Sequence, residues 1–355
     1  MTERTPSFSR SKGLKPAVVG VVFLLILALP WMLRAGLGAG KGTYWTHIFI
    51  LIAVMILAAS SMRAIFRTGE MSLGTAGFML VGGYAAALLT TKGGLSPWLT
   101  IFLGGLVAAG IAALVAYPFF RVKGIYFVIC TLLLGFILLY LAGYLDWLTG
   151  GWQGFQFYGV SPKITIGSHT ITFGTKTNLE YYYLMVVVVG LCLFILYRME
   201  HSRVGLVWRS IREADELAKS VGVNVTAHKM FIFIVACFFT GLAGGLYAFH
   251  VHALSPTSTP ANVFHFFTSI YCLLYMVVGG AESFFGPLIG TTVFMVLREL
   301  GREVDEYWPL IAGAVLIVIV FFMPRGLVAL PDYVPAWYRT VRRLLRGKEV
   351  GRKTD

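Results

Sequence analysis

The chain has 355 residues, of which 57% are hydrophobic and only 13% charged, proportions that exclude an ordinary soluble globular domain. Its formal net charge is +13, yet the basic residues gather in short loops and at both termini instead of forming one stripe interleaved with aromatics, which excludes nucleic acid as a partner. Recurring apolar runs, each long enough to cross a lipid hydrocarbon core of about 30 Å as a helix, predict an all-α polytopic membrane protein.

The N-terminal stretch "MTERTPSFSRSKGLKPAVVGVVFLLILALPWML" places a basic tail, residues 1–15, before a long apolar run without a small-x-small cleavage site. It reads as a retained first span. Spans are predicted at 16–33, 46–64, 72–91, 97–119, 125–145, 181–198, 229–250, 264–280, 284–299 and 307–323, about ten transmembrane helices. They form one permease-like domain over 16–330, followed by a basic tail at 331–355. The Gly-rich segments 72–91, 264–280 and 284–299 are expected to be short, broken or re-entrant.

Most of the 29 Lys and Arg fall in alternate loops and in the two tails, which predicts that both termini and the 199–228 loop are cytoplasmic. The opposite side carries one long connection, 146–180, whose "KITIGSHTITF" alternates with period two and predicts a small β-hairpin. All four cysteines lie inside apolar runs and read as small core residues.

Small residues recur four apart at Gly104/Ala108, Gly105/Ala109, Gly241/Gly245, Gly244/Ala248 and Gly286/Gly290, a spacing that lets helix backbones approach closely in lipid. "MSLGTAGFMLVGGY" (71–84), "LTGGWQG" (148–154) and "VVGGAESFFGP" (277–287) combine paired glycines with polar residues, as interrupted helices lining a solute path do. The candidate pathway residues are Ser72, Gly74, Thr75, Thr131, Thr149, Gly150, Gly151, Gln153, Gly154, Gly279, Gly280, Glu282 and Ser283.

Other chemistry fails on its residues. "AGLGAGKGT" (35–43) lacks the first glycine and the final Ser/Thr of a phosphate-binding loop, so no nucleotide hydrolysis and no cofactor are expected of this chain. His250, His252 and His265 have no carboxylate or cysteine at ligand spacing, and read as interfacial hydrogen-bonders ahead of a metal site. Ionisable residues such as Glu70, Asp146, Glu282, Arg298 and Glu299 sit near predicted span ends, unlike the mid-membrane carboxylates of ion-coupled transporters. A self-sufficient secondary transporter or channel is therefore the second reading.

Between two apolar runs lies "SIREADELAKSVGVN" (210–224). Val207, Ile211, Ala214, Ala218 and Val221 share one helical face, with Arg209, Arg212, Glu213, Asp215, Glu216 and Lys219 around the rest. Gly222 suits a left-handed helix end. The face lacks the Trp, Phe or Leu anchors of a lipid-inserting helix and predicts a single surface helix that docks on protein.

The spacing Glu216-x-Ala218-x-x-x-Gly222 resembles the "EAA…G" loop of ABC importer permeases. Residues 202–256, together with 71–89, 126–141, 148–154, 269–290 and "MPRGLVAL" (323–330), resemble the branched-chain amino acid ABC transporter permease family, in its LivM-type subunit. That resemblance implies one of two homologous permease subunits of an importer in a bacterial inner membrane. Two ABC ATPase subunits and an extracytoplasmic solute-binding protein would be its partners. It also implies that 199–228 carries a coupling helix, with Arg209, Arg212, Glu213, Glu216, Ala218 and Gly222 facing ATPase coupling. The chain departs from the family pattern at Phe136, Gln153 and Glu282, the last where "GGxGS" reads "GGAES". Urea, short-chain amides or other amino acids thus stand beside branched-chain amino acids as solutes.

Overall fold

A computed structural model describes residues 27–36, 38–157, 162–166, 169–172, 178–256, 263–302, 307–323 and 326–330. The two tails, the start of the first span and the middle of the 146–180 connection lie outside them. Within lipid every backbone polar group needs an internal partner, so the apolar runs fold as helices.

A helical segment at 27–36, α1, is followed by α2 (Ala39–Phe66), α3 (Thr75–Thr91), α4 (Pro97–Phe119), α5 (Ile125–Tyr144) and the one-turn α6 (Asp146–Thr149). Then come α7 (Leu179–Glu200), α8 (Arg203–Glu213), α9 (Asp215–Ser220), α10 (Val225–Val251), α11 (Phe266–Gly279), α12 (Gly286–Leu300) and α13 (Trp308–Phe322). Among the described residues, α2, α4, α5, α7 and α10 are long and apolar enough to cross a membrane. By contrast α3, α11, α12 and α13 have 17, 14, 15 and 15 residues, about 21–26 Å at 1.5 Å per residue. The expected shortness of 72–91, 264–280 and 284–299 is present, and α13 shares it.

The predicted hairpin forms between β2 (Lys163–Ile166) and β3 (His169–Thr172), antiparallel, with Ile164 opposite Ile171. A second ribbon, which the sequence does not announce, pairs β1 (Phe155–Gln156) with β4 (Ala253–Leu254).

The bundle is centred on α10, which packs against α2, α3 and α4. Glycines set this packing. A Cβ at Gly82 of α3 would lie 2.1 Å from the Gly241 carbonyl of α10, and one at Gly104 of α4 would lie 2.5 Å from the Gly82 carbonyl. Three backbones therefore meet where no larger side chain fits.

Ion pairs and hydrogen bonds between helix ends mark two poles of the bundle. One pole collects the C-terminal ends of α2, α7 and α11 and the surface helices α8 and α9. The other collects the β1–β4 ribbon and the far ends of α5 and α10.

Candidate functional site

At the first pole the expected single surface helix is two helices. The chain breaks at Ala214, with φ −154° and ψ 86°, where Lys123 and Lys229 hold Asp215 at 3.3 and 3.8 Å. The break lets Ile211 from α8 and Ala218 from α9 pack together against Val225, with Val207 and Val223 beside them. It also throws Val221 off the shared face predicted for it, and Val221 is 74% exposed. Trp208 of α8 is also buried, at 2% exposure; its large apolar ring between Val207 and Arg209 was the signal available in the sequence. Gly222 ends α9 as expected, with φ 86° and Val223 N donating to Ala218 O at 3.1 Å, a Schellman closure.

The division of faces is now set. Ala218 turns inward and Arg212 is half-buried, while Arg209, Glu213, Glu216, Leu217 and Gly222 are exposed. Glu216 accepts from Lys219 at 3.1 Å and from Lys123 at 3.3 Å. Lys219, then Lys123, holds its carboxyl below the usual carboxylate range, and Asp215, then Glu216, pushes Lys123 above the usual lysine range.

Beneath α8 and α9 lies an ionic network of which Arg212 and Glu282 belong to the predicted site while Arg63, Arg67, Glu70, Glu200 and Lys229 do not. Arg63 and Arg67, near the end of α2, grip Glu200 at the end of α7. Arg63 Nη1 and Nη2 donate at 2.7 and 3.0 Å, and Arg67 Nη2 lies at 2.9 Å. Lys229 at the start of α10 donates to Glu70 at 3.0 Å, both side chains buried. Arg212 of α8 reaches Glu282, in the turn between α11 and α12, through two donors at 3.1 and 2.5 Å. Arg67 stands 3.5 Å from the same carboxylate.

The predicted pathway residues fall into three places. Ser72, Gly74, Thr75 and Thr131 are buried together where an irregular segment turns into α3: Leu73 N donates to Thr131 Oγ1 at 3.0 Å, and a Cβ on Gly74 would lie 3.0 Å from Thr131 O. Ser269 joins them from α11, its Oγ accepting from Ala76 N at 2.9 Å. Its hydroxyl inside the apolar run "FFTSIYCLLY" is the signal the sequence carries for it.

Thr149, Gly150, Gly151, Gln153 and Gly154 lie at the opposite pole. Thr149 Oγ1 donates to Ala142 O at 2.5 Å, and Gln153 lines a cavity of about 180 Å³ with Gln156, Tyr247 and Ser255. Gly279, Gly280, Glu282 and Ser283 sit at the first pole beside Arg63, Arg67 and Arg212.

The three histidines do not converge. His250 pairs with His47 of α2 at 2.6 Å and stacks on Tyr181. His252 takes a left-handed conformation after α10, and His265 caps α11 by accepting from Phe267 N at 3.3 Å.

Apolar helices of spanning length, packed through glycines and carrying a polar helix pair on one pole, define a multi-pass membrane protein of the permease type. The chain belongs to the family described as the permease component of the branched-chain amino acid transport system, whose sequence pattern matches residues 44–320. It is 29% identical to the high-affinity branched-chain amino acid transport system permease protein LivM of Escherichia coli over 349 residues, covering 91% of this chain and 79% of that one. The LivM protein of Salmonella typhimurium is 28% identical over 344 residues, covering 90% and 79%. A nucleoside ABC transporter permease protein, NupC of Lactococcus lactis, is 24% identical over 312 residues, covering 79% and 94%. No solved structure matches the chain.

Proposed function

We propose that the chain is a membrane-spanning subunit of an ABC importer for branched-chain or related amino acids, working with a second homologous permease, two ATPase subunits and an extracytoplasmic solute-binding protein. The pole bearing α8 and α9 faces the cytoplasm. ATP is hydrolysed by the partners, and its effect enters through the exposed face made by Arg209, Glu213, Glu216 and the Gly222 turn. The observation that carries this reading is the build of α8 and α9. A charged face points outward, while a small apolar seam of Ile211, Ala218 and Val225 fastens the pair to α10. Such a unit is fixed to its own protein on one side and complete for a partner's groove on the other.

The solute path runs past Ser72, Thr75, Thr131 and Ser269, where hydroxyls and the first backbone N–H groups of α3 lie inside the bundle. A half-helix beginning within a membrane domain presents such donors to polar solutes. Nucleoside and fructose permeases among the relatives keep the solute itself open to urea, short amides or other amino acids.

The test is uptake and ATP hydrolysis in the reconstituted complete transporter, with each of the solutes above as probe. Glu216→Ala and Gly222→Val should leave the complex assembled while uptake per ATP falls about tenfold or more, the effect of roughly 1.4 kcal/mol of lost coupling. Unchanged ratios for both variants would overturn the reading. Solute flux through the chain without ATPases would establish the self-sufficient transporter in its place.

A further inference from the structure

The turn between α11 and α12 is packed to pass on a displacement. A Cβ at Gly279 would lie 1.8 Å from Gly286 O, one at Gly286 would lie 2.1 Å from Gly280 O, and one at Gly326 would lie 2.4 Å from Gly280 N. Helices α11 and α12 and the segment after α13 are thus locked backbone on backbone, and close-packed contacts of this kind shift as a unit.

Two elements hold this turn. From α2, Arg63 Nε donates to Ala281 O at 3.1 Å and Arg63 Nη2 to Glu282 O at 3.2 Å. From α8, the Arg212 guanidinium makes its two-pronged contact with the Glu282 carboxylate, while its carbon sits 4.4 Å from the Phe66 ring centre. A forked Arg–carboxylate contact fixes orientation as well as distance, and the ring beneath the guanidinium restrains it further. Otherwise α8 packs chiefly on α7, α9 and α10, with Arg212 against Gly69 and Phe66, and the Arg212–Glu282 contact carries it to the turn. Further along α11, Ser269 holds the first turn of α3 through Ala76 N.

We propose that Glu282 is a positioning residue that ties α8 to the α11–α12 turn, so that a displacement of the coupling helices moves α11 and, through Ser269, the start of α3. The proposal rests on the reading of α8 and α9 as the ATPase-docking surface. It gives a role to the acidic residue at which this chain leaves the "GGxGS" pattern.

The test uses the complete transporter, with its own ATPases, in lipid nanodiscs. The chain's four cysteines are replaced, and spin labels are attached after Leu206→Cys on α8, paired with either Ile289→Cys on α12 or Leu114→Cys on α4. All three positions are exposed. Distances are measured by pulsed EPR without nucleotide and after trapping with ATP and vanadate.

The expected result is that 206–114 changes on trapping while 206–289 holds, in the parent and in Glu282→Asp. In Glu282→Gln and Arg212→Gln, 206–289 should change as well. The second variant lies on a surface helix and keeps the test open should the first misassemble. A 206–289 distance that already changes in the parent, or that holds in both Gln variants, overturns the proposal while leaving the docking reading intact. A 206–114 distance that does not change on trapping in the parent overturns both.

Discussion

Lys229 stands 3.0 Å from Glu70 and 3.8 Å from Asp215, so one ammonium at the start of α10 joins the segment that leads into α3 to the first residue of α9. Both Lys229 and Glu70 are more than nine-tenths buried. Removing one member of a buried pair leaves the other charged without compensation and typically costs about 3–5 kcal/mol, whereas replacing both by apolar groups is often neutral. Lys229→Met and Glu70→Leu should each lower the unfolding midpoint of the detergent-purified protein sharply, and the double variant should recover most of the loss. Additive losses in the double variant would contradict this pairing.

The Gly222 prediction concerns backbone and not packing. A Cβ there would meet nothing within 4 Å, but φ is +86°, a conformation that costs an L-residue roughly 1–2 kcal/mol. Gly222→Ala should therefore leave the global unfolding midpoint nearly unchanged while the α9 amides exchange with solvent about tenfold faster, since 1.4 kcal/mol is a factor of ten. Equal protection of α9 in both proteins would show that the Schellman turn does not hold it.

What could be read in advance follows from how far each signal travels along the chain. The long helices were legible because lipid forces apolar runs into helices. Gly222 was legible because a helix end is a local event. The break at Ala214 was not: the apolar spacing runs through it unchanged, and the lysines that meet Asp215 there, Lys123 and Lys229, come from other elements. Nor was the pairing of Arg63 with Glu200, 137 residues apart, because a basic residue near a span end also satisfies the orientation rule with no partner at all. Glu282 was visible as an odd residue in a glycine turn, but only the fold brings Arg212 to it.

The strap between the α4–α5 loop and α9 should respond to pH and salt. Lys219 and Lys123 depress the Glu216 carboxyl, so its contribution is complete above the unfolded carboxyl pKa of about 4.3 and is lost as pH falls through the lower folded value. Asp215 and Glu216 raise Lys123, so that contribution is complete below about 10.4 and is lost as pH rises through the higher folded value. A spin label at Ser220 should be least mobile between these limits and loosen at either side. Raising the salt to about 1 M, where the Debye length falls to about 3 Å, should loosen it at neutral pH as well. Mobility independent of both variables would mean that the apolar seam alone retains α9.

The pathway prediction rests on two hydroxyls that meet α3 from different helices. Thr131 Oγ1 accepts from Leu73 N, and Ser269 Oγ accepts from Ala76 N, so together they fix the turn through which the chain enters α3. Ser269→Ala leaves the buried Ala76 N–H without its partner, at a cost of about 1–3 kcal/mol, and Thr131→Val does the same to the half-buried Leu73 N–H at a smaller cost. If the turn lines the path, that strain appears in transport before it appears in assembly. Each variant should purify with its partners in normal amount, keep its basal ATP hydrolysis and lose about tenfold or more in solute uptake, with Ser269→Thr retaining most of it. A loss of complex yield matching the loss of uptake would instead assign the two hydroxyls to folding. That would move the solute path toward the Gln153–Gln156 cavity at the opposite pole.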